Sequence, residues 1–262
     1  MSVISLTTDF GDLYPASMKA VILGINPEVR IVDITHSIRQ AGIREGAFAL
    51  YSLVPYFSAK SVHVGVIDPG VGTSRRALAV KAGSKGEEQF FVGPDNGLLI
   101  PAARRLGEME VYEITNKDLM LKSGVSATFH GRDIFAPVGA RLSKGMPIDV
   151  VGNRISDFVD LDFGNFGVDG PFLVGEVVFS DGFGNVITNI PEDAVLKFCT
   201  FGSKVEVNGR KVSFVRTYGF VGQEEALALI GSHGFLEIAI NKGNAALQFG
   251  LKSGDQVVIK VL

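Results

Sequence analysis

The chain has 262 residues, 46% of them hydrophobic and 20% charged, with 25 basic and 28 acidic residues giving a net charge of −3. Such a composition can bury a sizeable core and excludes a disordered chain. No basic run is longer than the two residues of Arg75-Arg76, which excludes a nucleic-acid track, and its single cysteine, Cys199, excludes an intrachain disulfide and a thiolate metal cluster and fits a cytoplasmic compartment.

The chain opens MSVISLTTDFGD, where the apolar stretch is too short and too poor in basic residues for a secretory signal. No later apolar run approaches the roughly 20 residues that span a bilayer. Val3–Leu6 reads as a strand, Ser17–Gly24 as a helix and Val29–Ile34 as a second strand. Apolar residues at helical spacing (Ala47, Phe48, Tyr51, Val54) predict a helix over Arg44–Val54, stopped by Pro55. Strands are expected at Val62–Ile67, Ala77–Val80 and Gln89–Val92, and helices at Gly97–Arg105 and Asp133–Leu142. Strands interleaved with helices predict an α/β layer with a mostly parallel sheet.

After the glycine-rich segment Asp162–Phe172 the pattern changes. LVGEVVF, NVITNI, KVEVNG, KVSFV, ALALIG, FLEIAI and QVVIKVL read as short strands, and Asn208-Gly209 is a strong hairpin signal. The expected organisation is an α/β domain over residues 1–165 and a smaller all-β domain over residues 166–262.

Five polar clusters interrupt this apolar background. In TTDFGD a strand ends in Asp9 and Asp12, where a carboxylate can bind a ribose diol or simply cap a helix. DPGVGTSRR lacks the Gly-Lys-Ser/Thr ending of a phosphate loop, so Asp68 and Arg75 serve either chemistry or a structural ion pair. FHGRD gathers His130, Arg132 and Asp133 ahead of a helical segment. His130 is a candidate proton carrier and Asp133 a candidate N-cap. In SDGFGNVITN, Phe183 and Asn185 suit a purine, one by stacking and one by pairing, or merely line a hairpin. GSHGFLEIAINKG offers Ser232, Glu237 and backbone NH groups. The four histidines are scattered and show no metal-ligand spacing.

Taken in order, TTDFG, DITH (Asp33 to His36), DPGVGT, PDNG (Pro94 to Gly97), FHGRD, DGFGNVITN and GFLEIA resemble the S-adenosyl-L-methionine (SAM) hydrolases, also called SAM hydroxide adenosyltransferases, which are related to the fluorinating and chlorinating SAM enzymes. The resemblance implies attack of activated water on the ribose 5′ carbon of SAM, giving adenosine and L-methionine, with no cofactor. It implies that a set of Asp68, Arg75 and His130 prepares the water; the chemistry of water activation then suits Arg75 to supply positive charge, Asp68 to orient water and His130 to act as base or relay. It places the ribose on Asp9, the methionine near Asp12, Asp181 and Ser232, and the adenine near Asn185, Tyr218 and the backbone at Lys242. It also implies a homotrimer with the substrate between the large domain of one subunit and the small domain of the next. Halogenating members replace the histidine of FHGRD and carry an extra loop that VKAGSKGEEQFFV has no room for, which favours the hydrolase branch. The alternatives are a SAM- or adenosine-binding protein without turnover, a halide-dependent adenosyl transferase and, disfavoured by the missing lysine, a phosphate-binding nucleotide hydrolase.

Overall fold

The computed structural model describes residues 2–262 and divides into two compact units, Met1–Asp162 and Phe163–Leu262. In the first, the chain runs β1 (Val3–Thr8), α1 (Tyr14–Ile25), β2 (Arg30–Thr35), α2 (Ile43–Leu53), β3 (Val62–Val66), β4 (Ala77–Ala82) and β5 (Gln89–Pro94). It continues through α3 (Ile100–Leu106), β6 (Met109–Glu113), α4 (Ala136–Ser143) and β7 (Arg154–Ile155). The seven strands form one sheet in the order β2-β1-β3-β5-β4-β6-β7.

The α/β architecture read from the sequence is present. The pairings β2–β1, β1–β3 and β3–β5 are parallel, as expected, whereas β5–β4, β4–β6 and β6–β7 are antiparallel. The reason is local: only residues 83–88 join β4 to β5, a connection too short for a parallel crossover and suited to a hairpin. Helix α1 begins earlier than expected, at Tyr14, because Pro15 sits in its first turn, where a proline lacking an N–H loses nothing.

Alternation of side chains divides the work of the two sheet faces. Ile4, Leu6, Val62, Val64 and Val92 join Met18 and Ile22 of α1 and Val138 and Leu142 of α4 in one buried cluster. On the other face Gly65 is closely approached by Leu50 of α2 and by Leu98 and Leu99 before α3. Burying strands on both faces leaves the loops at their carboxyl ends as the place for polar side chains.

The second unit contains β8 (Gly167–Asp169), β9 (Phe172–Ser180), β10 (Val186–Pro191), α5 (Glu192–Phe198), β11 (Lys204–Val207) and β12 (Arg210–Phe214). It ends with β13 (Ala226–Ile230), β14 (Phe235–Ile240), α6 (Ala245–Phe249) and β15 (Gln256–Val261). Its sheet runs β10-β14-β13-β12-β11-β15-β9-β8, and a further β10–β9 pairing closes it into a barrel, which leaves only the three-residue β8 as an edge. The interior is filled by residues such as Leu173, Val186, Phe214, Ile238 and Val257. Asn208 and Gly209, both at positive φ, form the predicted turn between β11 and β12.

Candidate active site

In the first unit, three of the predicted side chains meet. Asp68 follows β3 and Arg75 lies just before β4, so one loop leaves and re-enters the sheet at the same end. Arg75 forks onto the carboxylate, with Nε donating to Oδ1 at 3.0 Å and Nη2 to Oδ2 at 2.5 Å. Nη2 also donates to His130 Nδ1 at 3.0 Å, and Nη1 donates to the Arg76 carbonyl at 2.8 Å. Four of the five guanidinium N–H groups are thereby engaged, leaving one on Nη1. The Phe135 ring lies 5.4 Å below the guanidinium, and the Arg75 and Asp68 side chains are only 9% and 4% exposed. At that burial a planar, bidentate pair holds its geometry far better than a surface ion pair does.

His130 is half-buried just before a π-helical turn, Gly131–Phe135, that leads into α4. Because Nδ1 accepts from a guanidinium it carries a lone pair, so the ring is neutral with its proton on Nε2. Burial, reinforced by the Arg75 charge, pushes its pKa below the ordinary histidine value, against smaller opposing effects of Asp68 and Asp133. Two segments far apart in sequence touch here, since Gly72, at φ +76°, lies so close to the Ala127 carbonyl that a methyl group would overlap it.

Asp133 is not the helix cap that its position suggested. It lies fully buried inside the π turn, where its carboxylate accepts from Arg132 and from the Ser126 backbone at 2.8 Å. The extra residue of the wide turn shifts it off the cap, and it ties down the loop leading to His130 instead.

Asp9 also caps no helix. Its Oδ2 accepts from the Ala41 N–H at 2.9 Å, and its Oδ1 has no partner among the described residues. The TTDFG loop is braced by the DITH segment: Thr8 Oγ1 lies 2.9 Å from His36 Nδ1, and the Gly11 N–H donates to the His36 carbonyl. Asp12 is exposed.

The second unit holds the other predicted residues. Asp181 closes its own turn, with Oδ1 accepting from the Phe183 and Asn185 N–H groups at 2.9 Å and Oδ2 from Asn185 Nδ2 at 3.0 Å. Gly184 is required there because a side chain would overlap Asn244. With Nδ2 given to Asp181 and more loosely to Tyr218, Asn185 keeps its carbonyl oxygen as a free acceptor. It lines a cavity of about 750 Å³ with Phe183, Tyr218, Lys242 and Asn244. The Phe183 ring is 83% exposed. Ser232 is exposed and makes no hydrogen bond among the described residues. A larger hollow of about 1000 Å³, lined by Lys60, Lys81 and Met146 among others, contains none of the candidate side chains.

One residue of the fifth cluster, to which the sequence assigned no role, organises this cavity wall. Glu237, 4% exposed in β14, accepts from Tyr218 OH at 2.6 Å, and His233 Nε2 lies 3.3 Å from its other oxygen. Burial and then the Glu237 carboxylate push the Tyr218 phenol upward, so it stays a protonated donor. A glutamate in an apolar strand such as FLEIAI was the available signal, because a carboxylate buried there needs a partner.

The profile of the SAM hydroxide adenosyltransferase N-terminal domain matches residues 4–152, and that of the C-terminal domain matches residues 175–258. The chain belongs to the SAM hydroxide adenosyltransferase family. Within that family, it is 39% identical over 266 residues to the (R)-S-adenosyl-L-methionine hydrolase of Salinispora tropica, covering 97% of this chain and 96% of that one. The crystal structure of an uncharacterized conserved protein from Thermotoga maritima superimposes with a TM-score of 0.90 at 39% identity, covering 99% of this chain and all of that one. A fluorinase from Nocardia brasiliensis is a more distant relative, 28% identical over 291 residues, covering 99% of this chain and 97% of the fluorinase.

Proposed function

We propose that this protein hydrolyses S-adenosyl-L-methionine to adenosine and L-methionine. Family membership and the 39% identity to a SAM hydrolase support the reaction. The observation that carries its mechanism is the Arg75 fork, which joins Asp68 and His130 in one knot.

The sulfonium of SAM leaves as a neutral thioether, so the 5′ carbon needs only an in-line nucleophile. Water is a poor one while it keeps its proton. A water donating to a spare lone pair of Asp68, beside the Arg75 positive charge, has its proton drawn to the carboxylate as its oxygen approaches carbon. The O–C5′ bond forms, the C5′–S bond breaks with its electron pair going to sulfur, and the proton leaves through Asp68 to solvent. His130, neutral and with its Nδ1 lone pair engaged, acts as a donor through Nε2–H and as a fixed stop for the guanidinium, rather than as the base. Charged and dipolar groups fixed beforehand in a nearly dry site are worth about 10²–10³ in rate each.

Asn185, turned carbonyl-outward, matches the exocyclic amine of adenine, with the rings of Phe183 and Tyr218 over the base and the Lys242 backbone at its edge. Asp9 takes the ribose diol through Oδ1. Asp12, Ser232 and the second lone pair of Asp181 Oδ2 take the methionine end. The protein works as a cytoplasmic homotrimer, the large domain of one subunit meeting the small domain of the next around the substrate; a solvent-exposed ring such as Phe183 gains cover in that arrangement. Incubation with SAM in oxygen-18 water tests the reading. Adenosine labelled at its 5′ hydroxyl is expected, at a rate that halide does not change. Unlabelled adenosine, a halogenated nucleoside or no product refutes it, and sedimentation separately checks the trimer.

A further inference from the structure

The PDNG segment, Pro94–Gly97 at the end of β5, has no role in the mechanism above, yet it grips both ends of the catalytic loop. Asn96 Nδ2 donates to the carbonyl of Ile67, the residue before Asp68, at 2.8 Å. Its Oδ1 accepts from the Leu98 N–H, which fixes which way the amide faces. At the other end, the Asp95 N–H donates at 2.9 Å to the carbonyl of Arg76, the residue after Arg75, and the Asp95 carboxylate takes the Arg76 guanidinium at 2.8 to 2.9 Å. That same Arg76 carbonyl is the acceptor on which Arg75 Nη1 rests. The loop's own backbone hydrogen bonds, Val71 to Asp68 and Thr73 to Gly70, span only a few residues each and do not join its ends. A glycine-bearing loop left with these alone would have freedom to splay.

We propose that Asp95 and Asn96 are positioning residues, which set the spacing of the Asp68 carboxylate and the Arg75 guanidinium by clamping the two feet of their loop. A misplacement of an ångström at reacting groups costs about 10²-fold, so this clamp is expected to act on turnover and not on substrate affinity. The inference rests on the hydrolase reading, and the experiment separates the two.

Steady-state kinetics and thermal unfolding are measured on Asn96→Ala, Asp95→Asn, Asp68→Asn and Asp157→Ala. Asp157 contacts only the outer side of Arg76 and is itself 83% exposed, so its variant controls for the outer ion pair. Asn96→Ala and Asp95→Asn are each expected to lower kcat by about 10- to 100-fold with KM changed less than threefold, while Asp157→Ala matches wild type. In both clamp variants the acid limb of the kcat profile should also move to higher pH, because Arg75 bears less closely on His130 and the opposing Asp68 and Asp133 charges weigh more. A smaller folded fraction would scale the whole profile and leave its limb in place. If Asn96→Ala fails to fold, Asp95→Asn, which keeps one oxygen acceptor, carries the same test. A folded clamp variant with wild-type kcat, or one with an unmoved acid limb, overturns the clamp while Asp68→Asn remains slow. An Asp68→Asn protein as fast as wild type overturns the hydrolase mechanism and the clamp with it.

Discussion

His63 and His130 each belong to a three-member polar chain in the same sheet unit. His63 is fully buried in β3, its Nδ1 2.7 Å from Ser5 Oγ and its Nε2 2.7 Å from Gln89 Oε1, with the rings of Phe57 and Phe91 each 4.9 Å away. Burial pushes its pKa down to about 4, so the ring is neutral and every polar atom is matched inside the protein. His130 also is neutral, but it stands at the strand ends beside an ion pair, and its Nε2 has no partner among the described residues. A histidine whose two nitrogens are both satisfied in the core completes a structure; one with a nitrogen left over can meet a substrate. Partner inventory separates the two more sharply than residue type or burial.

Three substitutions and a change of pH test that contrast. The largest effect is expected at Asp68→Asn, which removes the carboxylate charge while nearly keeping shape. kcat should fall about 10²- to 10³-fold with the thermal midpoint nearly unchanged, as read by product assay and calorimetry. His63→Leu should do the reverse, costing about 2–4 kcal/mol in urea unfolding because Ser5 and Gln89 lose a buried partner, with kcat of the folded fraction retained.

The pH dependence of stability should carry the same signature. The unfolded chain binds a proton at His63 near pH 6.5 and the folded one only near pH 4. Stability from this group is therefore whole above pH 6.5 and is lost as pH falls toward 4, by about 3 kcal/mol. His63→Leu should flatten the urea midpoint across that window. The smallest effect is expected at His130→Ala, roughly tenfold in kcat. Wild-type turnover should persist below pH 6.5 and then fall as His130 gains a proton that collides with the Arg75 N–H; the variant should lack that limb. A kcat loss at His63→Leu that matches Asp68→Asn would dissolve the distinction.

Much of this was readable along the chain, for a physical reason. The apolar runs VISL and VRIVDI, the Asn208-Gly209 turn and the helical spacing of Ala47, Phe48 and Tyr51 are local signals, and local forces produced the elements. Strand direction is set by the connection and not by the strand's own residues: nothing in Ala77–Val80 itself says that it lies antiparallel between β5 and β6. The three-residue β8 and two-residue β7 are too short to show a period. At the site, Asp68 and Arg75 share one loop and were legible as a pair. Asp133 misled because an acid before an apolar run has the pattern of a cap, and a π turn shifts the register without altering composition. Glu237 was named in its cluster but given no role, because its partner Tyr218 stands nineteen residues away, across β13, and sequence spacing cannot pair them.

The reversal of β4 has a consequence for how the chemistry is carried. In a strand–helix–strand unit, the chain departing from a strand end travels to the far side of the sheet before it returns. Here it comes straight back as β4, so Asp68 and Arg75 are mounted on a short handle welded to the sheet at both feet. The ordering of the acid against the guanidinium is then settled when the domain folds, and no entropy of bringing them together has to be found again with each molecule turned over.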